Sequence, residues 1–285
     1  NAMTFPDKTI YPIASCNDVD YKNLTDVYMD AVFHPNIYTR EQIFKQEGWH
    51  YELENVDAPL TYNGVVYNEM KGAFSSPDEV LEREIMNHLF PDTPYGCESG
   101  GDPKNIPDLT YENFLNFHRT YYHPSNSYIY LYGNMDMEEK LAFLDEHYLS
   151  HFDYLDVDSV IQEQKAFGAC RDVTLEYPVA ENEGEEDNTY LSYNMVVGNA
   201  ADSQMAMAFE VLDYALLSAP GAPLKQALLD VKAGKDVYGS YDDGILQPYF
   251  TVIAKGSNPD RKEEFVSVIR QVLGDIVKNG IDRKA

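Results

Sequence analysis

Basic residues are scarce in this 285-residue chain: 21 Lys and Arg stand against 48 Asp and Glu, for a formal charge of −27. Nucleic-acid binding has to neutralise phosphates with cations, so a surface of this sign sets DNA and RNA aside as partners. Cysteine is scarcer still. Cys16, Cys97 and Cys170 are odd in number, far apart and without a Cys-x-x-Cys spacing. That argues against a disulfide framework and against a cysteine zinc site, and it fits a reducing compartment. No apolar run approaches the roughly 20 residues that cross a bilayer, so no membrane partner is expected. The start, Asn1-Ala2-Met3-Thr4-Phe5-Pro6-Asp7, has neither the basic region nor the apolar segment of a secretory signal. Phosphate-binding loops are missing as well. Glu98-Ser99-Gly100-Gly101-Asp102-Pro103 is glycine-rich with no Lys-Ser/Thr after it, and Gly234-Lys235 is followed by Asp236.

What is present is enough apolar and aromatic material for real cores, 44% and 13% with 23 Tyr, in a chain long enough for two domains. Residues 153–170 are poor in recognisable patterns and read as a linker region between domains at 1–152 and 171–285. In the first part, Lys8 to Ala14 reads as a strand, and Asp18 or Asp20 as the cap of a helix in which Leu24, Val27, Tyr28, Ala31 and Val32 recur until His34-Pro35 ends it. A short helix near Arg40 to Lys45 precedes a strand at Trp49 to Leu53. Helices are then expected from Gly64, from Pro77 to Phe90-Pro91, after the cap Thr110, and from Met135 to Tyr148, with a strand at Ser127 to Tyr132. In the second part, alternation at Val173, Leu175 and Tyr177 and at Leu191, Tyr193, Met195 and Val197 predicts two strands joined by an acidic hairpin, Glu181 to Asn188. Asp202 caps a helix, Pro248 to Ala254 is strand-like, and Phe265, Ile269, Val272 and Ile276 mark a last helix. Strands mixed with helices, without a regular βαβ repeat, give an α+β class.

The stretch Gly64-Val65-Val66-Tyr67-Asn68-Glu69-Met70-Lys71-Gly72 carries one acid, and on chemistry alone an isolated helical Glu is a solvated charge. The stretch nevertheless resembles the segment of the M16 (insulinase- and pitrilysin-like) zinc metallopeptidases that carries their third metal ligand, most of all in the presequence-protease branch. The resemblance extends upstream through Asp7-Lys8-Thr9-Ile10-Tyr11-Pro12, Val27-Tyr28-Met29-Asp30-Ala31-Val32-Phe33 and Gln46-Glu47-Gly48-Trp49. Downstream it takes in Glu98 to Pro103, Phe117-His118, Tyr122-His123-Pro124-Ser125-Asn126 and Tyr132-Gly133-Asn134. From about Val173 onward it is one of pattern more than identity. It implies an M16-like α+β fold, helices packed on an antiparallel sheet. Residues 1–152 would then be the later part of the first, catalytic domain and 171–285 the first part of the second.

Hydrolytic zinc sites use three protein ligands and keep a fourth position for a water whose pKa the metal lowers toward ~7. In M16 enzymes an inverted His-x-x-Glu-His helix supplies two ligands and the general base, and a distant Glu supplies the third. Glu69 matches that distant ligand, and Zn is the implied cofactor. The His-x-x-Glu-His itself does not occur in this sequence. Its nearest imitation, His147-Tyr148-Leu149-Ser150-His151, has Ser where the base would stand and follows Glu69, whereas the family motif precedes it. Helix histidines without a metal explain it better, and packing explains His118 and His123.

Asn1-Ala2-Met3-Thr4 resembles the edge strand beside the family's active site, just after the catalytic helix. A tag remnant before a start methionine is the other account of these residues, although the Asp7-Lys8-Thr9 match that follows favours native sequence. If the resemblance holds, this edge takes an extended peptide through backbone hydrogen bonds; an ordinary edge covered by its own domain is an equal alternative. The chain is thus expected to begin after the catalytic module, to stop within the second domain at Arg283-Lys284-Ala285, and to be inactive alone. Its partners would be a peptide substrate and the remaining parts of the same M16 protein, in a bacterial-type cytoplasm or, alternatively, an organellar matrix. Part of the negative charge then concentrates basic peptides by steering, beside its plainer role in solubility. A catalytically silent M16 homologue acting as scaffold or peptide-binding partner is the first competing reading; an acidic α+β binding module is the second.

Overall fold

The computed structural model describes residues 1–179 and 184–281. In chain order the elements are β1 (Met3–Thr4), β2 (Thr9–Ile10), α1 (Asp18–Phe33), α2 (Glu41–Ile43), β3 (His50–Glu52), β4 (Thr61–Asn63), α3 (Val65–Ala73), α4 (Pro77–Leu89), α5 (Tyr111–Tyr121) and α6 (Met137–His147). They continue with β5 (Thr189–Val196), α7 (Ser203–Asp213), α8 (Pro223–Asp230), β6 (Asp236–Asp242), β7 (Tyr249–Ser257) and α9 (Lys262–Asn279). The chain folds into two compact units, 1–75 with 98–160, and 76–97 with residues 161 onward. The second break, between Val160 and Ile161, lies inside the 153–170 stretch. The α4 segment packs with the second unit although the sequence groups it with the first domain.

In the first unit the helix ends follow local chemistry. The Asn17 side chain accepts the backbone N–H of Asp20 and caps α1, so the cap falls just ahead of the acids expected to provide it, which sit instead in the first turn where they suit the helix dipole. Thr110 and Asn113 close a reciprocal capping box on α5. The strand expected over Lys8 to Ala14 shrinks to Thr9–Ile10, paired antiparallel with Met3–Thr4; Pro12 has no N–H to continue a ladder. β3 and β4 form an antiparallel hairpin with Tyr51 opposite Tyr62. Ser127 to Tyr132 is not assigned as a strand, because a strand requires a hydrogen-bonded neighbour as well as an alternating pattern.

The second unit is built on an antiparallel sheet in the order β5-β7-β6. Its central strand β7 is buried on both faces, and the period of two sorts its side chains. Phe250, Val252 and Ala254 join Leu191, Val237, Leu216, Leu224, Leu228, Phe265 and Ile269 in one core, under α7, α8 and α9. Tyr249 and Ile253 face the other way, onto Ile85, Phe90 and Tyr95 from the α4 segment. This is why 76–97 belongs here: Leu81, Ile85, Met86 and Leu89 find their apolar surface on that sheet face. β6 carries Gly239 in its middle, where a Cβ would come within 2.1 Å of the Thr251 carbonyl oxygen, so the glycine permits close approach of β7. The Val173–Tyr177 alternation does not form a strand. Of the expected acidic hairpin, Glu181, Asn182 and Glu183 lie outside the described residues, as do Arg283, Lys284 and Ala285 at the end.

Candidate active site

Glu69 sits in the middle of α3, and the helix is fixed from its opposite side. Gly64 enters it at φ 150°, a conformation that L side chains rarely adopt. A Cβ there would lie 2.2 Å from the Gly48 carbonyl oxygen and 2.7 Å from Trp49 Cα. Asn63 Oδ1 accepts the Gly64 N–H at 2.7 Å and the Asn68 side-chain N–H at 2.6 Å, tying the first turn to the hairpin. Aromatic rings continue the attachment: Tyr67 meets Tyr62 at 5.8 Å, Tyr62 meets Tyr51 at 5.3 Å, and Trp49 lies 5.4 Å from Tyr51. The Trp49 indole N–H donates to the Leu109 carbonyl at 2.8 Å.

Tyr67 and Glu69 are two residues apart, so at 3.6 residues per turn they point to nearly opposite sides of the helix. The ring stack holds the back of α3 while the Glu69 carboxylate projects from its free side. Glu69 is exposed and makes no hydrogen bond or ion pair among the described residues. Met70, the next residue, rests on Gly100, where a Cβ would meet its Sδ at 2.2 Å. The glycine-rich Glu98 to Gly101 stretch, which fails as a phosphate loop, therefore has a packing role: it lets α3 seat closely.

The histidines fall as the plainer reading expected. His118 Nδ1 bonds the Tyr38 hydroxyl at 2.6 Å and its Nε2 faces the Val32 carbonyl at 2.9 Å; burial lowers its pKa. His123 Nδ1 accepts the Ser125 N–H at 3.1 Å. His147 and His151 are exposed, and the His147 ring lies against Phe143 at 4.6 Å. Among the described residues no group of three or more His, Cys, Asp or Glu is arranged to hold a metal ion. One carboxylate does not make a zinc site, so these residues alone do not fit the metal that the resemblance implies. The three cysteines are free and exposed.

Asn1 to Thr4 are exposed throughout. β1 is engaged by β2 along one edge, through Met3↔Ile10 and Thr4↔Thr9, and carries no further strand among the described residues. Sequence reasoning did not find a polar cluster in the second unit. There Asp78, in the first turn of α4, accepts from Lys255 Nζ at 2.8 Å and 3.2 Å, from the Tyr238 hydroxyl at 3.2 Å and from the Tyr190 hydroxyl at 3.4 Å. The Lys255 ammonium also stands 5.2 Å from the centre of the Tyr190 ring. Residues more than a hundred positions apart meet here, and no local pattern announces them.

Comparison with known proteins places these features in a family. The sequence model described as "Peptidase M16 inactive domain" matches residues 108–285. Protein HypA of Clostridium perfringens is 52% identical over 284 residues, covering 100% of this chain and 29% of that protein. Presequence protease 1, chloroplastic/mitochondrial, of Arabidopsis thaliana is 39% identical over 289 residues, covering 100% of this chain and 27% of its own length. The chain thus spans under a third of the length of these relatives. In structure it is similar to a peptidase M16 inactive domain from Pseudomonas fluorescens, with a TM-score of 0.58 and 17% identity over 94% of this chain and 59% of that one. A putative M16-like peptidase from Alicyclobacillus acidocaldarius gives 0.51 and 18% over 77% and 51%. The α+β fold is the M16-like one expected.

Proposed function

Because the chain belongs to the peptidase M16 family, we propose that it is a segment of a zinc-dependent endopeptidase that hydrolyses short to medium unfolded peptides. The observation that carries this reading is Glu69: an exposed carboxylate with no partner among the described residues, on a helix whose opposite side is packed against the Tyr62 ring. In the whole protein Glu69 contributes one zinc ligand, and the two histidines and the general base come from other parts of the same polypeptide. Residues 1–152 are the later part of the first domain, 153–170 a linker region and 171–285 the first part of the second domain. Asn1 to Thr4 offer an edge on which an extended substrate pairs through backbone hydrogen bonds, leaving selectivity to side-chain pockets. We place the protein in a bacterial-type cytoplasm, following its likeness to the Clostridium relative. No described helix is long and apolar enough to cross a membrane.

Bound zinc and cleavage of a quenched peptide test the reading together. The 285-residue chain is expected to hold no zinc after dialysis and to cleave nothing. The whole protein should hold one zinc per chain and cleave the peptide, and Glu69→Gln in it should lose both. Retention of zinc by Glu69→Gln would remove Glu69 from the ligand set. A whole protein with neither zinc nor turnover would be the silent M16 homologue, a scaffold or peptide-binding partner.

A further inference from the structure

Asn63 and Gly64, where β4 hands over to α3, are one of the two Asn-Gly pairs in the chain; Asn279 and Gly280 are the other. An asparagine before glycine loses its side-chain amide when the glycine nitrogen closes on Cγ, because glycine has no side chain to hinder the approach. The two pairs are held differently. The Gly64 N–H donates to Asn63 Oδ1 at 2.7 Å, and with a carbonyl bond of about 1.23 Å this puts the nitrogen within about 3.9 Å of Cγ. The same Oδ1 accepts from the Asn68 side-chain N–H at 2.6 Å, a donor aimed at the oxygen on which charge develops when the nitrogen adds. At the other pair the Gly280 N–H is committed to the Ile276 carbonyl at 2.8 Å, closing the end of α9.

We propose that Asn63-Gly64 is a self-modifying site, at which the fold promotes conversion of the asparagine to aspartate and isoaspartate. Base removes the Gly64 proton, and the nitrogen adds to Cγ while Asn68 holds Oδ1. The bond from Cγ to the side-chain nitrogen then breaks with release of ammonia. Water, which reaches the half-buried Asn63, opens the resulting cyclic imide at either carbonyl, so that an amide and a water become an acid and an ammonia. Both products disturb the entry to α3. Asn63 Nδ2 donates to Glu52 Oε2 at 2.6 Å, and an acid at that position replaces this bond with two carboxylates in repulsion. Isoaspartate also inserts a methylene into the main chain directly before Gly64, where even a Cβ would lie 2.2 Å from the Gly48 carbonyl oxygen. Conversion thereby unseats the helix that carries Glu69. Its consequence for a metal ligand rests on the peptidase reading; the conversion itself does not.

Peptide mapping by mass spectrometry, after incubation of the chain folded and in concentrated urea, tests it, with Asn279 as the comparator in the same molecule. In urea the two Asn-Gly pairs should convert at similar rates. In the folded chain Asn63 should convert at least as fast as it does in urea, and faster than Asn279. Asn68→Ala should slow conversion of Asn63 in the folded chain by about 2- to 10-fold, the worth of one hydrogen bond, and leave Asn279 unchanged. Conversion of Asn63 that is slower folded than unfolded, or indifferent to Asn68→Ala, overturns the proposal. Converted chains, separated by their added negative charge, should unfold at lower urea by Trp49 fluorescence; a midpoint equal to that of unconverted chains refutes the disturbance at α3. None of these readings involves zinc or peptide cleavage, so they fail or succeed separately from the peptidase reading.

Discussion

Two glycines at either end of the Glu69 helix should respond to alanine with opposite signs. Gly64 precedes α3 at φ 150° and ψ 151°, a region that is essentially glycine's alone and costs another residue about 1–3 kcal/mol. The added Cβ also meets the Gly48 carbonyl oxygen at 2.2 Å and Trp49 Cα at 2.7 Å. Both are backbone atoms, so neither swings aside as a side-chain tip would, and relieving such overpacking costs roughly 1–3 kcal/mol more. Gly64→Ala should therefore destabilise the first unit by about 2–6 kcal/mol, a large share of the roughly 5–15 kcal/mol that holds a domain together. Gly72 lies inside α3 with nothing within 4 Å of its virtual Cβ; alanine there should stabilise by up to about 1 kcal/mol through helix propensity and a less flexible unfolded chain. Urea unfolding followed by fluorescence is the assay, because Trp49 is the single tryptophan of the chain and stands at the predicted collision. With a denaturant slope of about 1–3 kcal/mol per molar, the Gly64→Ala midpoint should fall by on the order of 1–3 M and that of Gly72→Ala should rise by a few tenths. A Gly64→Ala midpoint within about 0.3 M of the parent would show that the α3 entry is not the close backbone crossing described.

The Asp78–Lys255 pair in the second unit is about half exposed on both sides, 49% and 44%, so a double-mutant cycle with Asp78→Asn and Lys255→Met should give a coupling of about 0.2–1 kcal/mol. A coupling of zero would leave the pair without energetic weight. The Lys255 ammonium lowers the Asp78 pKa, so that contribution is present above the unfolded carboxylate value of ~3.9 and fades as pH falls through the folded one. Burial, followed by the Asp78 charge, pushes Tyr238 up to about 12; its contribution holds below the unfolded value of ~10 and is lost as pH rises toward the folded one. Thermal melts of the short chain followed by tyrosine circular dichroism should thus lose stability below about pH 4 and above about pH 10, and Asp78→Asn should soften the acid limb. An identical acid limb in that variant refutes the assignment. In the whole protein, raising salt should weaken capture of basic peptides more than that of neutral ones, because the −27 charge is screened within a Debye length of about 10 Å at 0.1 M; equal effects on both peptides would sink the steering idea.

What was legible in the sequence was what neighbouring residues decide. Pro77 opening α4, Thr110 capping α5, Asp202 capping α7 and His34-Pro35 closing α1 are local transactions between a side chain and its own helix end, and each is found where expected. Elements defined by distant partners were harder. β6 was overlooked because Asp236, Gly239, Ser240 and Asp242 break its apolar alternation, and its glycine makes sense only beside Thr251 and Leu217 of other elements. α8 is a short helix of eight residues, too brief for its period to stand out between Pro223 and Gly234. Ser127 to Tyr132 shows the reverse case: the pattern is a strand's, and what it lacks among the described residues is a paired neighbour.

The same distinction governs the candidate site. Nothing in the side-chain chemistry of Glu69 separates it from the other 47 acids of the chain, since the 48 are Asp and Glu alike; the nine-residue resemblance singled it out. The structure adds a physical difference. Asp78 is held by Lys255 and two tyrosines, and Glu112 by Arg119, so moving either onto a metal would first break internal bonds. Glu69 has no partner among the described residues, and its helix is braced by Tyr67 on the opposite side, by Met70 and by the Gly64 crossing. A ligand supplied to a site completed by other parts of a protein needs both properties together. It must be free to bind, so that no internal ion pair competes, and it must be fixed in place, so that binding does not cost the ordering of its backbone.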